Sequence, residues 1–188
     1  MRATMAGMAD RSPGRSQWWS KSRGLPASVF ESWRDSLSTQ LERQPRILAW
    51  ARAVHGFCIG SPSLLSYGGE SGWQHVGWHQ IEHGGWNAET QRLSWISYDG
   101  GREFVELTAP GRLPELFRER VSTSIVAERF VSITGERGVT VSGRRDLADA
   151  TSSIIWHRTL SRGISWQAEG VQEAADAALA ELRTEFGW

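Results

Sequence analysis

Three histidines recur at every fourth position, His75, His79 and His83, and this spacing is the first place to look for chemistry. On a helix it would set three imidazoles on roughly one face and could give a metal its nitrogen ligands. The intervening residues argue for a strand. Residues 73–86 are rich in Gly and Trp, and Val76 and Trp78 alternate against His75 and Gly77. Positions four apart in a strand are about 13 Å apart, whereas each ligand must come within about 2.1 Å of a shared metal. The pattern therefore predicts histidines lodged beside tryptophans, and no metal is expected.

A second cluster lies at residues 136–145, ERGVTVSGRR. As the end of a hairpin it would gather Arg137, Arg144 and Arg145, with His157 from the next strand, into a modest basic patch. Glu136 and Asp146 flank the patch and weaken its field. Neither a recognition helix nor a base-stacking motif accompanies it, which speaks against nucleic acid. Arg144 and Arg145 stand as candidate contacts for a protein partner. Catalysis finds less support. There is no G-x-S-x-G elbow. The pairs Gly68-Gly69, Gly84-Gly85 and Gly100-Gly101 match neither the dinucleotide fingerprint nor the phosphate-loop pattern. Glu82, Glu89 and Asp99 read as surface carboxylates. Neither an enzyme activity nor a cofactor is expected.

Tryptophan is the compositional outlier, with 11 copies in 188 residues. Trp50, Trp78, Trp86 and Trp95 fall in strand candidates and are expected in the core. Trp73 and Trp166 lie beside turns and are the better candidates for an exposed aromatic contact. Trp18 and Trp19 stand together in a basic arm, residues 1–24, among Arg11, Arg15, Lys21 and Arg23. Two adjacent indoles are costly to leave in water. Either one of them is therefore expected to cover the groove beside the first helix while the other stays loose, or the pair anchors the arm on a partner or at a membrane interface. Trp188 ends the chain and is expected to pack on the last helix.

The elements that must position these residues follow from periodicity. Leu25, Val29, Trp33 and Leu37 make an amphipathic stripe over residues 26–38, with Pro26 near its start. Strands are expected at 46–53, as two short runs within 56–68 broken at Gly60–Pro62, and across 73–86 with a bend between Trp78 and Ile81. Two more follow at Leu93, Trp95 and Ser97, and at 103–108, around the hairpin signal Asp99-Gly100-Gly101. Leu113, Phe117, Val121 and Ile125 then mark a helix over 112–126. Strands at 129–134, 138–143 and 152–160 precede a last helix at 171–186. Short antiparallel strands closed by one helix imply a strongly curled sheet. The expected class is α+β, mainly β, with a soft division near residue 126. The corresponding units are 1–24 (arm), 25–44 (helix and linker), 45–126 (curled sheet) and 127–188 (a three-strand and helix extension).

Residues 46–125 resemble the bacterial PH-like, or GRAM-like, domains. The resemblance rests on Ile47 to Ala51, Ser63 to Tyr67, the run from Trp78 to Asn87 followed by Leu93, and Leu113 to Val121. With the C-terminal part, over roughly residues 40–185, the chain is similar to a family of uncharacterised actinobacterial proteins. The resemblance implies a fold and leaves activity open. The chain departs from the lipid-gripping branch of that fold. Its first hairpin carries Arg52-Ala53-Val54-His55-Gly56, too little positive charge to neutralise several phosphates.

Charge points the same way. Lys plus Arg and Asp plus Glu are 21 each, and nucleic-acid binders usually carry a basic excess. Cys58 is the sole cysteine, so no internal disulfide can form and the thiol reads as a small buried hydrophobe. No apolar run approaches the roughly 20 residues that span a bilayer, and the first residues lack the apolar core of a signal peptide. A cytoplasmic interaction module with a protein or peptide partner is the leading expectation. The alternatives are a peripheral lipid-binding module and a structural subunit of a larger assembly.

Overall fold

Two strands that are neighbours in the chain lie at opposite edges of the main sheet, and this alone forces the sheet to curl. The computed structural model describes residues 24–37, 46–69, 71–149 and 151–186. Within it β1 (Ala49–Ala53), β2 (Gly56–Gly60), β3 (Leu64–Gly69), β4 (Gly72–Gly77), β5 (Ile81–Asn87), β6 (Arg92–Ser97) and β7 (Arg102–Ala109) form one antiparallel sheet. Its order is β4-β3-β2-β1-β7-β6-β5. Laid flat, six strand gaps would set β4 and β5 about 29 Å apart. Only one 3-10 turn, Trp78–Gln80, joins them. Four residue steps reach about 14 Å at most, so the sheet rolls into an open half-barrel. This turn is the bend expected between Trp78 and Ile81.

The concave side is filled by a helix, α2 (Leu113–Ser124). Its Leu113, Leu116 and Phe117 are buried among Leu65, Trp78, Ile81, Leu93, Trp95 and Leu107. Phe117 meets Trp78 edge-on with ring centroids 6.0 Å apart. Gly84 makes room for it: a Cβ there would come within 2.8 Å of the Phe117 ring. Cys58 is fully buried on this inner face, where burial pushes its thiol up to about 12.

The convex side of β1–β4 is covered by α1 (Ala27–Ser36). Trp33 is fully buried there with Ile47 and Ile59, and Trp50 and Trp73 pack around them. A helix this short is marginal alone, so tertiary contacts must hold it. Two are polar. Trp73 donates its indole N–H to Ser32 Oγ at 3.0 Å, and Ser36 Oγ lies 3.2 Å from His75 Nε2.

A second sheet follows α2 without a break. Its strands β8 (Ile125–Thr134), β9 (Arg137–Arg144) and β10 (Ile155–Leu160) run antiparallel in the order β10-β9-β8. The division expected near residue 126 falls just inside β8. A last helix, α3 (Val171–Phe186), covers one face through Ala178, Leu179 and Leu182, which meet Ala127 and Val141. Arg129 reaches Glu181 and Glu185, and Arg158 reaches Asp176, across this layer. The protein is thus α+β, mainly β. The strand expected from residue 46 starts at Ala49, that expected from 152 starts at Ile155, and that expected from 129 starts at Ile125. Trp78 and Trp95 are core residues as expected, whereas Trp50 and Trp86 are half-buried and pack against the core from its rim.

If α1 is held by its one buried indole, Trp33→Ala lowers the unfolding free energy by about 3 kcal/mol. In hydrogen exchange the α1 amides then lose protection while those of β2 and β3 keep it. A variant as stable as the parent, with α1 still protected, contradicts this packing.

Candidate functional site

Arg144 was expected at the surface; it is buried, with 2% of its area exposed. Its guanidinium makes four hydrogen bonds, all to uncharged oxygens. Nε donates to the Tyr98 hydroxyl at 3.0 Å, one terminal nitrogen to Val121 O and Ser124 Oγ at 3.0 Å each, and the other to Glu82 O at 3.2 Å. Val121 and Ser124 belong to the last turn of α2. There the unpaired carbonyls and the negative end of the helix dipole supply the counter-charge that a carboxylate would otherwise provide. Arg144 therefore joins β9, α2, β5 and the β6–β7 hairpin, and it is no docking residue.

The expected basic patch does not form for the same reason. Arg137 lies at the far end of β9, seven residues or about 23 Å from Arg144 along an extended strand. His157 stacks on Tyr98 with ring centroids 3.5 Å apart and 8° between planes. Arg145 is half-buried, and its backbone N–H donates to Ser124 O at 2.9 Å. Trp73, expected to be exposed, is half-buried with its N–H used by α1, and Trp166 is half-buried in the loop before α3. Trp18, Trp19 and Trp188 lie outside the described residues.

The three histidines do not converge. His83 is exposed beside Glu82 at 3.6 Å. His79, on the 3-10 turn, faces Asp146 at 3.4 Å. His75 lies under α1. Ser36 spends its only proton on Trp33 O, so His75 Nε2 must donate to it and Nδ1 must accept from Ser66 Oγ at 2.8 Å. Burial lowers the pKa of His75, His79 and His157 from the ordinary value of 6.5. Arg144 adds to the effect at His79 and His157, and Asp146 offsets part of it at His79. Each is thereby biased toward its neutral form. Together with Trp95, Tyr98 and Ile155 they line a cavity of about 410 Å³ at the junction of the two sheets.

The larger opening lies where the hairpins end. A groove of about 560 Å³ runs between the β1–β2 turn, the start of β4 and the start of β7. Its apolar lining includes Val54, Phe57, Trp73 and Phe104. Val54 is 52% and Phe104 54% exposed. A neighbouring cavity of about 460 Å³ shares His55, Phe57, Ser71 and Trp73 and continues along α1. Gly56 sits at this end with φ +97°, and a Cβ there would strike Gly68 O at 2.1 Å. Only glycine lets the two hairpins close so tightly. Among the described residues the charges in the groove lining are few. Glu106 is paired with Arg92 at 2.6 Å, and His55 is the other titratable group beside the Tyr67 phenol. Burial and the nearby Glu103 raise that phenol to about 12, so it stays neutral.

No family model, curated protein or solved structure matches the chain. The site is therefore read from its geometry. Sequence reasoning passed over Val54 and Phe104. A signal for Phe104 was available: it stands between Arg102 and Glu106 on the polar face of an alternating strand, where an aromatic ring has no core to enter.

Two predictions follow from the junction. Arg144→Met removes four hydrogen bonds from the junction and lowers stability by about 3 kcal/mol, as expected for removing one partner of a buried polar network. Arg144→Lys recovers little, because an ammonium cannot span the same acceptors. Urea unfolding checks both, and a loss under about 0.5 kcal/mol would place Arg144 among ordinary surface residues. The histidines give the second. Their folded-state pKa values lie below 6.5, so the unfolded chain takes up protons first as the pH falls. Stability is full above about pH 7 and declines as the pH drops through 6.5 toward the lowered values. His157→Phe keeps a ring against Tyr98 and makes the melting temperature less sensitive to pH between about 7.5 and 5.5. An unchanged pH profile rejects the role given to His157.

Proposed function

We propose that the protein is a non-catalytic interaction module, built on a PH-like half-barrel, whose groove at the hairpin end takes a segment of a protein partner. The observation that carries this reading is the presence of exposed Val54 and Phe104 together in the groove lining, with Phe57 and Trp73. Large apolar side chains at the rim of a concave opening are the usual anchors of protein recognition. The seven-strand order with one helix in the concavity supports the PH-like part. Phosphorylated headgroups and nucleic acids are poorly served by a lining that, among the described residues, holds no Lys or Arg.

The test is a random peptide library displayed on phage and panned against the full chain. Parent protein enriches a common apolar motif. Val54→Asp and Phe104→Asp each cut retention of the enriched phage at least about tenfold, the factor that a loss of 1.4 kcal/mol produces. The reading fails if no motif enriches, or if the enriched phage bind both variants as well as the parent. Vesicles containing anionic lipid should not pellet the protein.

A further inference from the structure

β7 is longer than the strand beside it, and the excess lies in the groove. On one side the first five residues of β7 pair with β6, from Arg102 opposite Ile96 to Glu106 opposite Arg92. On the other side β1 reaches only part of it: Ala53 lies opposite Leu107, Arg52 opposite Ala109, and Val54 N–H donates to Glu106 O at 2.9 Å. Residues 102–105 of β7 have no strand on that side among the described residues. This is a free edge of about 13 Å.

Its polarity can be worked out. In a strand, alternate residues present both N–H and C=O to the same edge. Glu106 O accepts from Val54, so Glu106 faces the β1 side. Leu107 N–H donates to Gln91 O, and Gly101 O accepts from Ser97 N–H, so the odd-numbered residues face β6. Phe104 and Arg102 therefore present their N–H and C=O groups to the groove. Two donors and two acceptors line up with the spacing of a strand ladder. Beside them lie the exposed Phe104 ring, with the Arg92 guanidinium 4.5 Å over it, and the exposed Val54.

We infer that the groove binds its partner by strand addition: an extended, uncharged segment of another protein pairs its backbone with Phe104 and Arg102 of β7, continuing the line of β1 beyond its turn. This rests on the proposed role as a segment-binding module and specifies how the segment is held. The choice of occupant follows from charge and hydrogen bonding together. Among the described residues the groove lining holds one carboxylate, which Arg92 pairs, and one histidine, while the edge offers alternating backbone groups that another extended backbone matches. Side chains of the added strand alternate, so one set meets Val54 and Phe104 and the other points away.

The experiment uses the octapeptide enriched in the phage selection, made synthetically, and its single N-methyl analogues, with binding to the full chain measured by calorimetry. Each N-methyl group removes one backbone donor. Methylation at alternate positions should weaken binding at least tenfold, and at the intervening positions by less than about threefold. On the protein side, Phe104→Ala removes the ring and keeps the N–H. Phe104→Pro removes both, yet spares the β6 ladder, since that N–H faces away from β6. Phe104→Pro should bind at least tenfold more weakly than Phe104→Ala. A peptide that binds but shows no alternation under methylation overturns strand addition and leaves the segment-binding role standing. Absence of any enriched peptide overturns both. Dimerisation of the chain alone that Phe104→Pro abolishes shows the edge pairing with a second copy, and overturns the heterologous segment.

Discussion

A buried arginine with no carboxylate holds the two sheets together. Arg144 leaves β9 and spreads its donors over the last turn of α2, a β5 carbonyl and the Tyr98 hydroxyl. Burying a guanidinium is costly unless its donors are satisfied. Here four acceptors from three different elements do so. The Tyr98 hydroxyl also meets Ser142 Oγ at 2.9 Å, and its ring is stacked on His157. One residue at the tip of the β6–β7 hairpin is thus gripped by both of the neighbouring strands of the second sheet.

That grip bears on the groove. β7 starts four residues after Tyr98, and among the described residues its first four have a strand neighbour on one side only. A strand end with one partner usually frays, because each residue fixed gains few contacts against the conformational entropy it loses. Anchoring Tyr98 shortens the free span to the turn Asp99–Gly101, which is closed by Gly100 N–H on Ser97 O at 2.8 Å and Gly101 N–H on Asp99 Oδ1 at 2.9 Å. The edge is thereby presented ready-formed. Preorganisation of this kind lowers the ordering cost of binding. The second sheet, which contributes nothing to the groove lining, acts by keeping that edge in place.

Much of the fold was legible because it is written in local periodicity. The strand pattern of Leu93 and Trp95, the hairpin at Asp99-Gly100-Gly101, the fourfold stripe of α2 and the span of α3 depend on neighbours in the chain. The bend after Trp78 was legible as a change of phase, although its consequence, a sheet rolled edge toward edge, needed the pairing order. Arg144 was not legible. In the run from Val139 to Arg144 the valines and Gly143 mark the face toward α3, and Arg144 continues the polar face of Thr140 and Ser142. Nothing in the run says that this face is covered by α2 and Tyr98, which come from earlier in the chain. Trp73 misled for a related reason: it sits beside a turn, but α1 returns over it. The groove escaped because it arises from a mismatch in length between β1 and β7, a relation between two strands that local pattern cannot express.

The dependence of the β7 edge on the junction is open to direct measurement by amide hydrogen exchange on the parent and on Tyr98→Phe, which keeps the ring on His157 and deletes the hydroxyl. Glu103 and Val105 point their N–H groups into the β6 ladder at the start of β7, and Leu107 does so further along, where β1 lies on the other side. If Arg144 and Tyr98 hold the unpaired start of β7, then Glu103 and Val105 lose protection at least several-fold in the variant while Leu107 keeps its own. Equal protection at Glu103 and Val105 in the two proteins would mean that the edge stands without the lock, and would contradict the coupling between the buried arginine and the groove.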